Sequence, residues 1–341
     1  MSKLSIFVLV CLFPALFCGC YDNREVDTVA TVMAVGIEKS SKQNEKLYTF
    51  ALSDIGGYNS DSRGDAASLI CYSASGRDIE SAIYELDKKI SKSLSFSHVS
   101  AIFFSKEIAK EGMYTDAHFF EKDFKVRPQV ILALCEMSPR KYLEDLSPRL
   151  ESNPEKYFRS IFQKSRFYVP PLKLCDFTDS YHCGETSAIA LISGGVDGKK
   201  ISEESVGFSS VGIISKGRLT AELSNEALPG LFFAKKKVRL GDAVLTATDK
   251  PQVSVKIKNG RATVRARLNI KADKSVNESG IETSFEKLLV YHAKMGTDII
   301  NISRYGKREF YTLKGYKETN RNELIKNADF EIDVNVVKGE L

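Results

Sequence analysis

The chain has 341 residues, 43% of them hydrophobic and 27% charged, with a net charge of +5. That is a globular balance, long enough for two or three cores, and it excludes a disordered or fibrous chain. Seven cysteines at this length are too few for a disulfide scaffold, and no basic–aromatic motif marks nucleic acid as a partner.

The first element is a leader. Lys3 precedes an apolar run over residues 4–17, of signal-peptide length and short of the ~20 residues that span a bilayer. The run exits through Leu16-Phe17-Cys18-Gly19-Cys20 into the polar Tyr21-Asp22-Asn23-Arg24-Glu25. A small residue before a cysteine, with polarity changing at the cysteine, resembles the bacterial lipoprotein signal. In that reading residues 1–19 are removed, and Cys20 receives a diacylglycerol and becomes the mature N-terminus. Phe17 and Cys18 depart from the usual pattern, and an ordinary signal peptide or a short uncleaved anchor is the alternative. No second long apolar segment follows, so the lipid is the expected membrane contact, and two acyl chains suffice for stable anchoring.

Residues 31–54 read as two strands around a polar turn at 40–46, and 69–73 as a third strand. Ser75-Gly76-Arg77-Asp78 opens a helix with capping-box chemistry and the apolar stripe Ile79, Ala82, Ile83, Leu86 and Ile90. Residues 98–104 are predicted as a strand, Ser105 as the cap of a short helix ending at Gly112, and the unbroken apolar run 129–135 as a central strand. Ser138-Pro139 and Asn153-Pro154 each set a capping side chain before a proline, whose missing N–H costs nothing at a helix start. Pro170-Pro171 ends regular structure, and the polar stretch 175–184 reads as a linker, with the main boundary near Glu185. The expected organisation is a leader 1–19, an N-terminal domain 20–184 and a C-terminal domain 185–341.

Cys71 and Cys135 lie in apolar strand-like runs and read as core residues. Cys175 and Cys183, with His182 beside the second, fit a metal half-site or a local disulfide, although two thiols and one imidazole do not complete a site.

Beyond Glu185 the pattern turns mostly to strands, at 187–192, 207–214 and 219–223, with a short helix over 224–233. The sharpest signal is 253–272. Two alternating strands flank Asn259-Gly260, a pair that tolerates positive φ and marks a hairpin. One face is apolar; the other carries Lys256, Lys258, Arg261, Arg265, Arg267 and Lys271. Residues 282–297 read as an amphipathic helix with Phe285, Leu288, Leu289 and His292 on one side. In the final strand, 330–337, Glu331 and Asp333 alternate with Phe330, Ile332 and Val334, which makes it a natural neighbour for the basic hairpin. Residues 231–341 hold 22 Lys/Arg against 14 Asp/Glu, a bias toward an anionic membrane surface or an acidic partner, with a solvated face as the default. The fold class is α/β in the α+β sense: mixed, largely antiparallel sheets with packed helices, in two to three domains.

A search for chemistry finds little. Gly194-Gly195-Val196-Asp197-Gly198-Lys199-Lys200 imitates a phosphate loop, but Ser193 stands where the first glycine belongs and Lys200 replaces the magnesium-holding Ser/Thr. There is no Gly-x-Ser-x-Gly elbow and no His-Glu-x-x-His helix. The four histidines (His98, His118, His182, His292) are not paired at ligand spacing, and Glu203-Glu204 sits in a polar, loop-like stretch. The sequence offers no catalytic, cofactor-binding or metal-binding residues, and it reads as not an enzyme.

The run Cys20-Tyr21-Asp22-Asn23-Arg24-Glu25-Val26 resembles the mature start of the Ger(x)C family, the lipoprotein C subunits of bacterial spore germinant receptors. Val35-Gly36-Ile37-Glu38 is similar to the family's next strand. Ser97-His98, Phe103-Phe104-Ser105 and Ala109-Lys110-Glu111-Gly112 resemble its strand into an Ala-x-Glu-Gly helix end. Leu219, Leu223-Ser224 and Glu226-Ala227 match a later stretch, while Tyr21 and Ala221 depart from the pattern. The resemblance implies a three-subunit receptor at the inner spore membrane. Two subunits would be integral-membrane partners, and this one, held by lipid at Cys20 on the outer face, would support assembly or signalling during germination. It implies no catalytic residue and no cofactor. The rival is a free-standing substrate-binding lipoprotein, whose two βα-repeating lobes suit a hairpin-rich second half poorly. A lipid-anchored hydrolase would need a constellation that the chain lacks.

Overall fold

The computed structural model of the chain describes residues 28–53, 69–124, 126–146, 154–164, 171–194, 207–224, 237–240, 243–249, 252–259, 261–294 and 324–338. The leader with Cys20, the glycine-rich turn at 195–200, Glu203-Glu204 and the helix expected beyond Ser224 lie outside these residues.

The larger sheet has ten strands built around a parallel spine. In spatial order the spine is β1 (Val29–Lys39), β5 (Ala101–Ser105), β6 (Ile131–Cys135) and β8 (Thr186–Ser193). β2 (Lys46–Ser53) and β3 (Leu69–Gly76) extend it antiparallel beyond β1, and β9 (Gly207–Ser215) and β10 (Arg218–Ser224) do so beyond β8. Short β4 (Ser93–Ser95) pairs with β1, and β7 (Leu172–Lys173) with β6. Every residue of β5 and β6 is buried, as apolar runs without alternation require in a strand covered on both faces.

Crossovers between parallel strands supply that cover. One face of the sheet carries α1 (Ile79–Asp87), α2 (Lys106–Glu111), α3 (Tyr114–Lys122) and α6 (Leu174–Cys183), whose Ile79, Leu86, Ile108, Phe120 and Phe177 pack with Val35, Phe104 and Leu132. The other face carries α4 (Pro139–Asp145) and α5 (Pro154–Lys164), whose Tyr142, Phe158 and Phe162 pack around Phe103. Phe103 and Phe104 therefore serve opposite cores, as the period of a strand dictates.

The helix starts follow their capping residues. Asp78 makes a reciprocal capping box with Ser81, Ser105 accepts from the Ile108 N–H, and Ser138 accepts from the Lys141 N–H. Gly112 ends α2 at φ 143°, a conformation that disfavours other residues.

Three expectations are corrected. The stretch 175–184 is not a linker but α6, capped at its C-terminus by left-handed Gly184. Its Leu174, Phe177 and Thr178 recur at helical spacing and are buried, a signal masked by the polar residues between them. The boundary placed near Glu185 falls inside the large sheet: β8 pairs with β6, and the change of sheet comes after β10. The strand predicted from His98 begins at Ala101, because the Val99 N–H closes a turn onto the Phe96 carbonyl. The class is α/β with mixed sheets, but the core of the larger one is parallel.

Three groups in this core stay protonated in the fold: burial pushes up the Cys135 thiol and, with Asp116 beside it, the Tyr48 phenol, and burial raises Tyr142 likewise. Each has a folded pKa above its unfolded value, so its contribution is complete below the unfolded pKa and lost as pH rises past it. Unfolding free energy from urea titrations is expected to fall above pH ~9, where free thiols ionise, and faster above pH ~10, where free phenols do. A flat profile between neutral pH and pH ~11 would contradict this.

Candidate interaction surface

The second sheet is built on the hairpin. β13 (Gln252–Lys258) and β14 (Arg261–Ala272) pair antiparallel with Lys258 opposite Arg261, and Asn259 takes the positive φ of 50° that its place in the turn demands. β12 (Ala243–Ala247) continues along the same edge of β14, with β11 (Lys237–Leu240) beyond it. β15 (Asp329–Lys338) takes the other edge of β14 in parallel, over Thr263 to Ala272. The inner face buries Val255, Val264, Ala266, Leu268, Ile270 and Val334. α7 (Glu278–Lys294) packs there through Ile281 and Leu289; the side chains of Phe285, Leu288 and His292 lie outside the described residues.

The outer face matches the sequence expectation. Register sets Arg265 beside Glu331 and Arg267 beside Asp333. Arg265 Nε donates to Glu331 Oε2, and Arg267 Nε donates to Asp333 Oδ2 at 2.7 Å. Both pairs are more than half exposed, so each is worth only ~0–1 kcal/mol. Arg265→Glu with Arg267→Glu is therefore expected to cost no more than about 2 kcal/mol in a urea titration. Adding Glu331→Arg and Asp333→Arg restores most of it; a loss well beyond that limit would mean the pairs hold the sheet together. Among the described residues Lys256, Lys258 and Arg261, at the hairpin end, are exposed and make no ion pair.

Elsewhere the polar groups are structural. Cys175 and Cys183 are free thiols near opposite ends of α6; seven intervening residues put them about 12 Å apart along the axis, which removes both the local disulfide and the shared metal half-site. No group of three metal-ligating side chains occurs among the described residues. Cys135 is core as expected, whereas Cys71 is partly exposed on β3. Two histidines that seem unrelated in sequence meet on one tyrosine: His118 stacks on Tyr114, and His182 Nε2 lies 3.1 Å from its Oη. Tyr181 stacks on the same ring at 3.7 Å between centroids, an exposed packing cluster joining α3 to α6. A cleft of about 710 Å³ beside β3 is lined by charges of both signs, with Arg140 already held by Glu144 at 2.7 Å.

The residues that resemble the germination family are likewise architectural. A side chain at Gly36 would meet Pro139 at 3.0 Å, so the glycine lets α4 lie against β1. Glu38 accepts from the Ser138 hydroxyl at 2.5 Å and from the Arg140 N–H at 3.2 Å, capping that helix from a neighbouring strand. Phe103, Phe104, Ile108, Ala109, Leu219 and Leu223 are all buried.

A family model described as "Spore germination protein N-terminal domain" matches residues 22–193, half of the chain. Spore germination protein KC of Bacillus subtilis (strain 168) is 29% identical over 112 residues, 32% of this chain and 28% of that protein. The putative spore germination protein YfkR of the same organism is 29% identical over 110 residues, 30% of this chain and 29% of its own length. The matched stretch spans less than a third of either relative. The crystal structure of the GerBC protein aligns over 90% of this chain and 97% of its own, at a TM-score of 0.49 and 13% identity. With half of its length matched by that family model, the chain belongs to the Ger(x)C family of spore germination proteins.

Proposed function

We propose that the chain is the C subunit of a nutrient germinant receptor, anchored by lipid at Cys20 to the outer face of the inner spore membrane. Its partners are two integral-membrane subunits, and it supports their assembly or signalling without a cofactor. The observation that carries this reading is positional: the family match begins at residue 22, directly after the Gly19-Cys20 junction. Among the described residues no helix is long and apolar enough to cross a membrane, and the proposed attachment is the lipid at Cys20. The free-standing substrate-binding alternative needs two lobes, whereas one sheet runs from β1 to β10 across the expected division.

Deletion of the gene is expected to abolish germination in response to at least one nutrient while leaving intact the response to a trigger that bypasses receptors. Equal loss of both responses would instead place the protein downstream of nutrient sensing.

A further inference from the structure

We propose that the hairpin end of the second sheet is a docking surface for anionic phospholipid headgroups, which fixes how the chain sits on its membrane. The inference rests on the chain being held at a membrane and adds the face that touches it. Lys256, Lys258, Arg261, Arg265, Arg267 and Lys271 share the outer face with three carboxylates of β15, Asp329, Glu331 and Asp333. The carboxylates are not spread evenly. Glu331 and Asp333 are committed to Arg265 and Arg267, Asp249 lies toward the far end against Asn269, and β15 begins at Asp329 opposite Thr263. Among the described residues no acidic strand reaches Lys258 or Arg261, and there positive charge concentrates toward Asn259.

The composition of the face selects a lipid surface over a protein. Between the cations stand Gln252, Ser254, Thr263 and Asn269, with no aromatic side chain among the described residues of the face; Val337, half-exposed, lies at the opposite end. Protein interfaces are built on aromatic and apolar anchors with lysine depleted at the centre, whereas attraction to anionic headgroups needs only cations within a Debye length of the surface. Each such cation raises occupancy about fivefold, so three at the hairpin end orient a chain that a lipid already holds nearby.

The test reconstitutes the full, lipid-carrying chain into vesicles of phosphatidylcholine alone and of phosphatidylcholine with phosphatidylglycerol, followed by brief lysine acetylation and mass spectrometry. Labelling of Lys256 and Lys258 is expected to fall severalfold only in the anionic vesicles and to recover in high salt, while exposed Lys287 on α7 stays constant. Arg261→Gln is expected to cut that protection about fivefold. Equal labelling in both vesicles overturns the proposal. Protection in native spore membranes but not in pure lipid also overturns it and assigns the face to an acidic protein. Flotation with neutral vesicles reports the anchor separately, so its failure is distinguishable from failure of the face.

Discussion

Cys20→Ala is expected to leave the chain as a precursor that retains residues 1–19 and carries no glycerolipid. Two acyl chains, at ~0.8 kcal/mol per buried methylene, would hold the mature protein by on the order of 20 kcal/mol, and no described helix is long and apolar enough to span the membrane in their place. Alkaline-washed membranes should therefore lose more of the variant than of the parent chain, because the retained apolar run over residues 4–17 is too short to replace two acyl chains. Nutrient germination should fall to the level of the deletion strain. Mass spectrometry of the parent chain decides the premise: a mature terminus other than Cys20, or an unmodified Cys20, contradicts it.

Asp116→Ala is expected to be the most costly single polar substitution in the described fold, at about 3 kcal/mol. Asp116, on α3, is only 3% exposed and accepts from Lys46 Nζ at 2.5 Å and from the buried Tyr48 hydroxyl at 2.7 Å, both on β2. Alanine would leave a phenol unsatisfied and an ammonium without its carboxylate. The figure stays at the low end of the range for broken buried pairs because the Lys46 side chain is 24% exposed and can reach water. Asp116→Asn keeps an acceptor for Tyr48 and should cost less. Lys46→Met combined with Asp116→Leu should recover much of the loss, since the cost lies in orphaned groups more than in the pair. Urea titrations of the variants check this, and a loss below about 1 kcal/mol for Asp116→Ala would contradict it.

What was legible in the sequence is what local rules decide. Asn259-Gly260 fixed the hairpin, and the alternation of Glu331 and Asp333 named the strand that joins it, because a strand's period sorts side chains to faces whatever its partner. Ser105, Asp78 and Ser138 announced their helices for the same reason. The sheet order was not legible. That β8 pairs with β6 rather than opening a new domain depends on Ala190 and Leu191 finding Ala133 and Leu134 across about 57 residues, and no local residue encodes this. The Lys46–Asp116–Tyr48 cluster escaped for the same reason, its members being some 70 residues apart. The role of Glu38 as a cap was hidden because it stands on a strand that helix-start rules do not inspect. Helix α6 was missed through its composition: Cys175, Asp176, Asp179, Ser180 and His182 face outward or lie half-exposed, while the buried stripe is short.

The central reading, a subunit of a membrane receptor that acts in germination, is tested most directly by what the chain holds on to. An affinity-tagged copy, cross-linked in dormant spores and purified from their membranes in mild detergent, is expected to bring down two multi-spanning membrane proteins in comparable amounts, and to recover less of both when Cys20→Ala loosens its attachment. Recovery of the tagged chain alone, or with the components of a solute transporter, would contradict that reading.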